Sequence, residues 1–353
     1  MYYFLYIIDN YYFIGKSANF LMAKKNRDQE QEDMHELILF RESTARDVKR
    51  SEPVSLVNII QEDKINLLCK SEPFGGDYLY SLLLSNGSVE PITEIKIKVR
   101  MPRFLKLCRS TPPTITIETI NFEEDEEETQ VKIEFEVLKG KAQKQINLFL
   151  CPLSLEEKGE IKSSVTFVNN ADFVRAIDTD AITIQFDPFS VERKILPSAE
   201  VKKFLQKPEI KKAIKSIGIG IEKYFDENYY FNQITKIIQD QNFQLIIKDN
   251  DNKIVWFYGA ELVSGYDVLV IGQIISGKIE WLAASQNHSL LISILTTFVN
   301  AFKEKMMILN QINSEDQIYH LECKYCGNIL SSFPGKGKSI ECNKCNYEQV
   351  IWN

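Results

Sequence analysis

Apolar and polar residues alternate in short runs through the first half of the chain. In residues 92–99, Ile95, Ile97 and Val99 fall on one side of an extended backbone, and the residues between them are charged. Strict alternation is the period of a half-buried β-strand. The other predicted strands are residues 114–120, 131–137, 146–150, 163–168 and 181–186, with short strands or helical turns at 37–40, 54–60 and 65–68. Because no helical pattern separates these runs, we predict an antiparallel β-sandwich or barrel-like domain over residues 37–190.

An Asn-Gly pair stands between two apolar runs early in this region. Residues 85–88 read Ser-Asn-Gly-Ser. Asn-Gly is the preferred pair of a two-residue hairpin turn. We therefore predict that residues 78–84 pair as a hairpin with the chain from Val89 onward.

The period of the apolar residues changes after Pro197. Helical spacing predicts helices over residues 199–206, 208–216 and 229–239, and most clearly over 290–302. Between the last two helices, four apolar runs separated by turns predict two hairpins, at residues 243–258 and 268–282. The pattern indicates a central α+β domain over residues 191–308, built as helix, four-stranded antiparallel sheet and helix, and an α+β multidomain fold for the whole chain.

The first residues of the chain predict no folded element. Residues 23–36 are almost entirely polar or charged, so we expect residues 1–36 to form a flexible N-terminal extension. Residues 1–21 are apolar but interrupted by Asp9 and Lys16, which fits neither a signal peptide nor a membrane span. Since Met22 resembles an ordinary start, an alternative is that residues 1–21 lie outside the folded protein.

Four cysteines near the C-terminus have the spacing of a metal site. Cys323 and Cys326 form one Cys-x2-Cys pair, Cys342 and Cys345 form a second, and fifteen residues separate the two pairs. Two such pairs match a tetrahedral Zn²⁺ site, because each short pair wraps a turn of backbone around the metal. These four cysteines are the predicted metal ligands.

The residues that follow each pair agree with this interpretation. Gly327 follows the first pair and Asn346 the second, and Gly and Asn are the residues that best tolerate a positive φ. Residues 321–353 resemble the zinc ribbon family, on the cysteine spacing and on a strand, turn and strand pattern in residues 328–341. The resemblance implies a closed structural zinc ion, hence binding rather than catalysis. Residues 309–353 are then a linker and a four-cysteine ribbon, with an iron site of rubredoxin type as the alternative.

Composition and charge indicate the size of the core, the cellular compartment and the kinds of ligand to expect. The chain has 353 residues, 44% of them hydrophobic, which is enough to bury a sizeable core. Three further cysteines, Cys69, Cys108 and Cys151, are scattered singles that we expect to be small buried hydrophobic residues. Single, unpaired cysteines indicate a reducing compartment. We expect the cytoplasm, with the nucleus as the alternative. A net charge of −7 argues against binding of polyanions by the whole surface, and no segment has the length of a membrane span.

Two stretches are basic in spite of the acidic total. The candidate polyanion-binding residues are Lys96, Lys98, Arg100, Arg103, Lys106 and Arg109 in the first stretch, and Lys202, Lys203, Lys211, Lys212 and Lys215 in the second. Exposed cations at this density can contact phosphates, whereas the plainer interpretation is a solvated face whose lysine stems cover apolar surface. A run of six acidic residues at 123–128 is expected to be a solvated loop tip.

Candidate catalytic residues are scarce. The chain has three histidines, His35, His288 and His320, and no acid or nucleophile is evident beside them. His320 precedes the first ligand by three residues, so it is either a surface residue or a hydrogen-bonding neighbour of the metal site. General acid–base catalysis most often uses histidine. This scarcity favours a non-catalytic protein with no organic cofactor.

These observations favour a zinc-binding interaction or scaffold subunit of an intracellular macromolecular assembly, with a protein partner and no membrane contact. The first alternative is a nucleic-acid-binding factor of transcription or translation type that uses residues 96–109 and 202–215. The second is a small-molecule sensor in residues 225–308, with an apolar pocket near Trp256 and Trp281. The sequence leaves the partner, the biological process and the oligomeric state open.

Overall fold

A computed structural model describes residues 64–112, 115–119, 128–155, 158–186, 189–221 and 225–353 of the chain. All of them belong to one compact unit, Glu62–Asn353. The predicted extension at 1–36, the predicted runs at 37–40 and 54–60, and most of the acidic run lie outside the described residues. The prediction of a β-rich fold with several antiparallel sheets is confirmed within the described part of the chain.

Two antiparallel sheets form the first half of the described chain. The four-stranded sheet has the order β1-β2-β7-β4, and the six-stranded sheet has the order β10-β8-β3-β6-β5, with β9 paired to β8. The strands are β1 (Ile65–Phe74), β2 (Asp77–Asn86), β3 (Ile92–Pro102), β4 (Leu105–Thr111), β5 (Ile115–Thr119), β6 (Glu128–Leu138), β7 (Gln143–Pro152), β8 (Lys158–Val168), β9 (Val174–Asp178) and β10 (Ile182–Gln185).

The inner faces of these two sheets share one apolar core. Strand β3 shows the alternation expected from its sequence, with Ile95, Ile97 and Val99 buried. They belong to the same buried cluster as Leu82 of β2, in the opposite sheet. A hydrogen bond of 2.7 Å between the Tyr80 and Ser163 hydroxyls also joins β2 to β8 across this core. Burial of alternate side chains from both sheets accounts for the packing.

The Asn-Gly pair does not form the predicted hairpin. Strand β2 pairs with β1 and β7, whereas β3 pairs with β6 and β8, so the chain leaves one sheet for the other after Asn86. The Asn86 side chain explains the corner. Its amide donates to the Glu90 and Leu138 carbonyls at 2.9 and 3.2 Å, and its oxygen accepts from the Ser88 backbone N–H at 3.0 Å. The hairpin in this region joins β1 to β2 instead, around Gly75 with its positive φ of 60°.

A third, seven-stranded antiparallel sheet dominates the second half. Its order is β11-β14-β15-β16-β12-β17, with β13 paired to β14. The strands are β11 (Val191–Arg193), β12 (Lys211–Ile219), β13 (Gln244–Asp249), β14 (Ile254–Glu261), β15 (Asp267–Ile275), β16 (Lys278–Ser285) and β17 (Ile318–His320), and the helices are α1 (Ser198–Gln206), α2 (Glu227–Asp240) and α3 (His288–Ile308). Helices α2 and α3 share one buried cluster with this sheet. Asp226 and Asn287 cap their first turns by accepting backbone N–H groups.

The helix predicted over residues 208–216 is wrong. Residues Lys211–Ile219 form strand β12, which pairs with β16 on one side and β17 on the other. Ala213 and Ile217 both point into the core formed with α2 and α3. The prediction failed because pairing on both edges of the strand and burial of both its faces from Lys215 to Ile219 outweigh local helix propensity.

The chain reaches the cysteine-rich end through a strand rather than through a simple linker. Strand β17, within the predicted linker, extends the seven-stranded sheet by pairing with β12. Two short strands, β18 (Ser339–Glu341) and β19 (Glu348–Val350), then pair with each other. The strand predicted at residues 328–333 is reduced to a single bridge between Glu322 and Ile329. In the described residues, no helix is long and apolar enough to cross a membrane.

Candidate metal centre and its surroundings

The four predicted ligands converge. The Sγ atoms of Cys323, Cys326, Cys342 and Cys345 all lie within 4.8 Å of one another. Two of the Sγ–Sγ distances, Cys323 to Cys345 and Cys326 to Cys342, are 3.6 Å. Sulfurs at tetrahedral corners about 2.3 Å from zinc are about 3.8 Å apart, whereas a disulfide holds sulfurs about 2.05 Å apart. The donor set and its spacing therefore fit a tetrahedral metal ion such as zinc and do not fit two disulfides.

The two cysteine pairs adopt the same turn. Gly327 N–H donates to the Cys323 carbonyl at 2.8 Å, and Asn346 N–H donates to the Cys342 carbonyl at 2.9 Å. Gly327 and Asn346 have φ of +71° and +57°, as their sequence positions predicted. The N–H groups of Tyr325 and Lys344 point at Sγ atoms from 3.4 and 3.5 Å. Such N–H groups stabilise thiolates, and therefore favour a metal-bound state of the cysteines.

Three aromatic rings fasten this module to the seven-stranded sheet. The Phe333 and Trp352 rings stack with centroids 5.7 Å apart and planes at 8°, and Phe333 stacks on Tyr319 of β17 at 5.9 Å. A Cβ added at Gly218 of β12 would lie 2.3 Å from the Phe333 ring. The glycine therefore leaves the space that the ring occupies. Lys278 of β16 adds a hydrogen bond of 2.6 Å to the Leu330 carbonyl.

A buried ionic cluster lies where the four-stranded sheet, the seven-stranded sheet and the cysteine module meet. The Lys215 ammonium of β12 is 2.5 Å from a carboxylate oxygen of Asp77 in β2 and 3.8 Å from one of Glu322. Burial alone would lower the pKa of Lys215, but Cys151, Asp77 and Glu322 raise it well above its ordinary value. Lys215 is therefore a cation, and its charge is balanced inside the protein.

Glu322 connects this cluster to the metal centre, because it directly precedes the ligand Cys323. Burial raises the pKa of Glu322 to about 7, while Lys215 and Arg109 act in the opposite direction. The Asp77–Lys215 pair is thus the firmer of the two ion pairs, and it has the shorter distance. Sequence reasoning missed this cluster because its members lie far apart along the chain.

The structure corrects two of the candidate polyanion-binding residues. Lys215 is 2% exposed, so it cannot contact a phosphate at the surface. The Arg109 guanidinium is turned inward, 3.3 Å above the centroid of the Phe149 ring and against the backbone of Gly327. Burial lowers the pKa of Arg109, and Glu322 and Asp77 oppose that shift. Both residues belong to the junction between modules.

The other candidates remain on the surface but not on one face. Lys96, Lys98 and Arg100 share the outer face of β3. Glu134 lies directly opposite Lys96, so acidic residues stand on the same face. The remaining exposed candidates are Arg103 and Lys106 around the β3–β4 turn, Lys202 and Lys203 on α1, and Lys211 and Lys212 at the start of β12.

Two of the three single cysteines meet in space. The Sγ atoms of Cys108 in β4 and Cys151 in β7 lie, together with an Asp77 carboxylate oxygen, within 4.8 Å of one another. The hydrogen bond with the Cys151 thiol, the desolvation of the Cys108 sulfur and the Asp77 carboxylate all raise the pKa of Cys108 well above its ordinary value. Cys69 lies apart from them, in β1. Cys108 is exposed, which also contradicts the expectation that all three are buried.

The two histidines in the described part of the chain, His288 and His320, occupy structural positions. His288 begins α3, and its Nε2 lies 2.9 Å from the Gly75 carbonyl, where it joins the helix to the β1–β2 turn. Burial lowers the pKa of His320 to about 3, and the Lys215 ammonium acts in the same direction, so this imidazole is neutral. His35 lies outside the described residues.

Side chains surround the two tryptophans at which a sensor pocket was predicted. Trp256 and Trp281 are fully buried. Trp281 packs in the core of the seven-stranded sheet, with its ring centroid 5.8 Å from that of Phe302 in α3. The sensor alternative at these residues stays a prediction.

Comparisons with known proteins identify no family. No family model matches the chain, and no curated protein matches it. An uncharacterized protein from Nocardia farcinica with an immunoglobulin-like fold is 13% identical, at a TM-score of 0.24, over 35% of this chain and 98% of that one. The major pilin SpaD from Corynebacterium diphtheriae is 11% identical, at a TM-score of 0.27, over 44% of this chain and 42% of that one. TM-scores this low establish neither a shared fold nor a shared function.

Proposed function

We propose that this chain is a non-catalytic zinc-binding interaction protein, a scaffold subunit of a macromolecular assembly. The observation that carries the proposal is the closed set of four cysteine sulfurs, within 4.8 Å of one another, in a module fastened to the neighbouring sheet. Four thiolates complete a tetrahedral zinc site and leave no coordination position for a substrate. Zinc would supply cross-linking of the two cysteine turns, and the protein would supply a shaped surface.

The architecture that we propose has three modules. A sandwich-like module comprises β1 to β10, an α+β module is built around helix α2, strands β13 to β16 and helix α3, and a zinc ribbon follows β17. Shared apolar burial between the first two sheets supports the first module, and the cluster formed with α2 and α3 supports the second. The matched turns after Cys323 and Cys342 support the ribbon.

A rigid turn with exposed apolar side chains supports an interaction role. Val263 and Leu262, between β14 and β15, are 90% and 56% exposed. The buried Glu261 carboxylate accepts from the backbone N–H groups of Val263 at 3.0 Å and Ser264 at 2.5 Å. Because the turn is fixed before any partner arrives, little conformational entropy is lost when it docks. A fixed apolar projection of this kind suits a protein partner.

Quantitative affinity purification tests this role. The full chain and its Leu262→Ser/Val263→Ser variant would each be used as bait, with Val89→Ser as the control because Val89 is 77% exposed elsewhere. We expect one set of partners to be recovered with the wild type and the control and to be depleted at least tenfold with the double variant. All three proteins should unfold at the same temperature. Equal recovery by all three baits would contradict the use of this turn.

Nucleic-acid binding is the alternative function, and one observation favours it. On the outer face of the six-stranded sheet, Lys98 of β3 lies directly opposite Lys132 of β6, and Arg100 lies opposite Lys162 of β8. Like charges placed directly opposite one another destabilise a sheet, and a polyanion would relieve that repulsion. Glu160 partly offsets the charge, since it lies 3.2 Å from Lys162. For this reason we rank the alternative second.

Salt-dependent binding to oligonucleotides tests the alternative. Fluorescence anisotropy would compare the wild type with Lys98→Gln/Arg100→Gln, and with Lys70→Gln on the other sheet as the control. If the face binds phosphates, the double variant should lower the slope of log affinity against log salt by about 2, at roughly 1 per removed contact. If the affinity and its salt dependence are the same in the double variant as in the wild type, this face does not bind the oligonucleotide.

A further inference from the structure

Cys108 and Cys151 lie side by side although 43 positions separate them in the chain, as their numbers show. They belong to β4 and β7, which are antiparallel neighbours in the four-stranded sheet. The direct partner of Cys151 is Lys106, but the register shifts between Leu107 and Arg109. Cys108 is therefore the extra residue of a β-bulge, and a bulge re-aims the side chain that it carries. This re-aiming brings the Cys108 sulfur to the Cys151 sulfur, within 4.8 Å.

The two thiols differ in access. Cys108 is exposed, so its thiol can meet a small reagent from solvent. Cys151 is only 4% exposed and is shielded by the strands around it. A reagent therefore reaches Cys108 first, and Cys151 is placed to react next. An accessible thiol beside a protected one is the arrangement of an attacking and a resolving cysteine.

A metal site at this cluster is the competing interpretation, since Asp77, Cys108 and Cys151 provide three donor atoms. The Asp77 carboxylate, however, already accepts from the Lys215 ammonium at 2.5 Å. The same ammonium lies 3.7 Å from the Cys151 sulfur. A divalent cation would meet this buried positive charge at short range. A disulfide needs only the two sulfurs and leaves the Asp77–Lys215 pair intact.

We propose that Cys108 and Cys151 are a site of reversible oxidation that closes an intramolecular disulfide between β4 and β7. The raised pKa of Cys108 keeps most of this residue in the thiol form at neutral pH, so we expect a slow exchange that accelerates as the pH rises. Its minor thiolate form attacks a small disulfide such as oxidised glutathione, which forms a mixed disulfide and releases one glutathione as a thiolate. The Cys151 thiolate then attacks the Cys108 sulfur, which breaks the mixed disulfide and releases the second glutathione. Two protein thiols lose two electrons and two protons, and oxidised glutathione gains them as two thiols.

The Lys215 ammonium faces the thiol that reacts in the second step. It lies 3.7 Å from the Cys151 sulfur. Closing the disulfide requires the sulfurs to approach to about 2.05 Å, a movement of less than about 3 Å. Cys108 is the residue of β4 without a partner position on β7, so its approach to Cys151 breaks no residue pair of the ladder.

Disulfide mapping at equilibrium tests the proposal. The full zinc-loaded chain would be equilibrated in buffers of increasing oxidised-to-reduced glutathione ratio, quenched with acid, alkylated and mapped by mass spectrometry without reduction. We expect a cross-linked peptide pair containing Cys108 and Cys151 to rise with the ratio and to disappear on return to excess reduced glutathione. Cys69→Ser, the matched control, should behave as the wild type. Cys108→Ser, a change at an exposed position, should abolish the cross-link.

Three outcomes would overturn the proposal. The first is separate alkylation of both cysteines at every buffer ratio. The second is glutathione that stays attached to Cys108, because Cys151 would then not resolve it. The third is a metal content one equivalent higher in the wild type than in Cys108→Ser, which would make the cluster a metal site instead.

Discussion

The seven-stranded sheet and the cysteine module are in contact, yet each region is stabilised internally by a different interaction. The sheet buries a large apolar cluster with α2 and α3, which includes the full side chains of Trp281, Phe298 and Phe302. The buried cluster of the cysteine module contains only Leu321 and Leu330 besides two of its own ligand cysteines. Apolar burial stabilises by about 25 cal/mol per Å², which is enough to hold the sheet and its helices together. The cysteine module buries too little apolar surface to be stable on that contribution alone. We therefore expect the module to depend on a bound metal ion and on its contact with the sheet.

Metal removal should have the largest effect, and it should affect the two regions differently. In Cys342→Ser, or after treatment with a strong chelator, we expect residues 321–353 to unfold while the seven-stranded sheet persists. Zinc contributes about 10–16 kcal/mol in isolated zinc-finger peptides, so nothing in the module can replace it. Hydrogen exchange followed by mass spectrometry would show the loss of protection, and metal analysis should give about one zinc per chain. Cys69→Ser is the control, and a protected module in the metal-free protein would contradict the expectation.

Breaking the buried ion pair should have the next largest effect. Lys215→Met leaves Asp77 and Glu322 without their buried cation, which we expect to cost about 3–5 kcal/mol of unfolding free energy. The double variant Asp77→Asn/Lys215→Met removes both charges and should recover part of that loss. Denaturant unfolding followed by circular dichroism measures both values. A double variant less stable than Lys215→Met would show that the pair stabilises the fold by more than mutual neutralisation.

Contact between the module and the sheet should have the smallest effect of the three. Gly218→Ala places a Cβ 2.3 Å from the Phe333 ring, which should displace the ring at a cost of about 1–3 kcal/mol without loss of zinc. Gly335→Ala is a matched control in the same module, because its Cβ would find its nearest neighbour at 3.5 Å. Tryptophan fluorescence from Trp352 and zinc content would be read together. Zinc loss in Gly218→Ala would mean that docking and metal binding are one event.

Local patterns predicted those parts of the fold that local interactions decide. Strict alternation identified β3, and helical apolar spacing identified α3. The same reasoning failed for residues 211–219, where helical spacing concealed a strand that is paired on both edges. It also failed at Asn86, because the hydrogen bonds that this side chain makes with Leu138 depend on a strand 52 positions away. Such partners are absent from any short window of sequence.

The four candidate metal ligands could be predicted from the sequence because each half of the site is local. Each Cys-x2-Cys pair encloses its own turn, and Gly327 and Asn346 satisfy the positive φ that the turn requires. Both halves of the site are therefore local, and only their approach to one another is tertiary. The sequence alone specified which four cysteines are the candidate ligands.

Only the tertiary structure decided what surrounds that site. Sequence composition grouped Arg109 and Lys215 with exposed basic residues, whereas the fold turns both inward, against Phe149 and Asp77. It also made neighbours of Cys108 and Cys151 through a bulge in one strand. Charge and thiol chemistry depend on distance and burial, and these follow from which strands pair and which faces pack. The sequence by itself therefore determined which four cysteines converge and the β-rich character of the chain, and the tertiary contacts decided which charges and thiols meet.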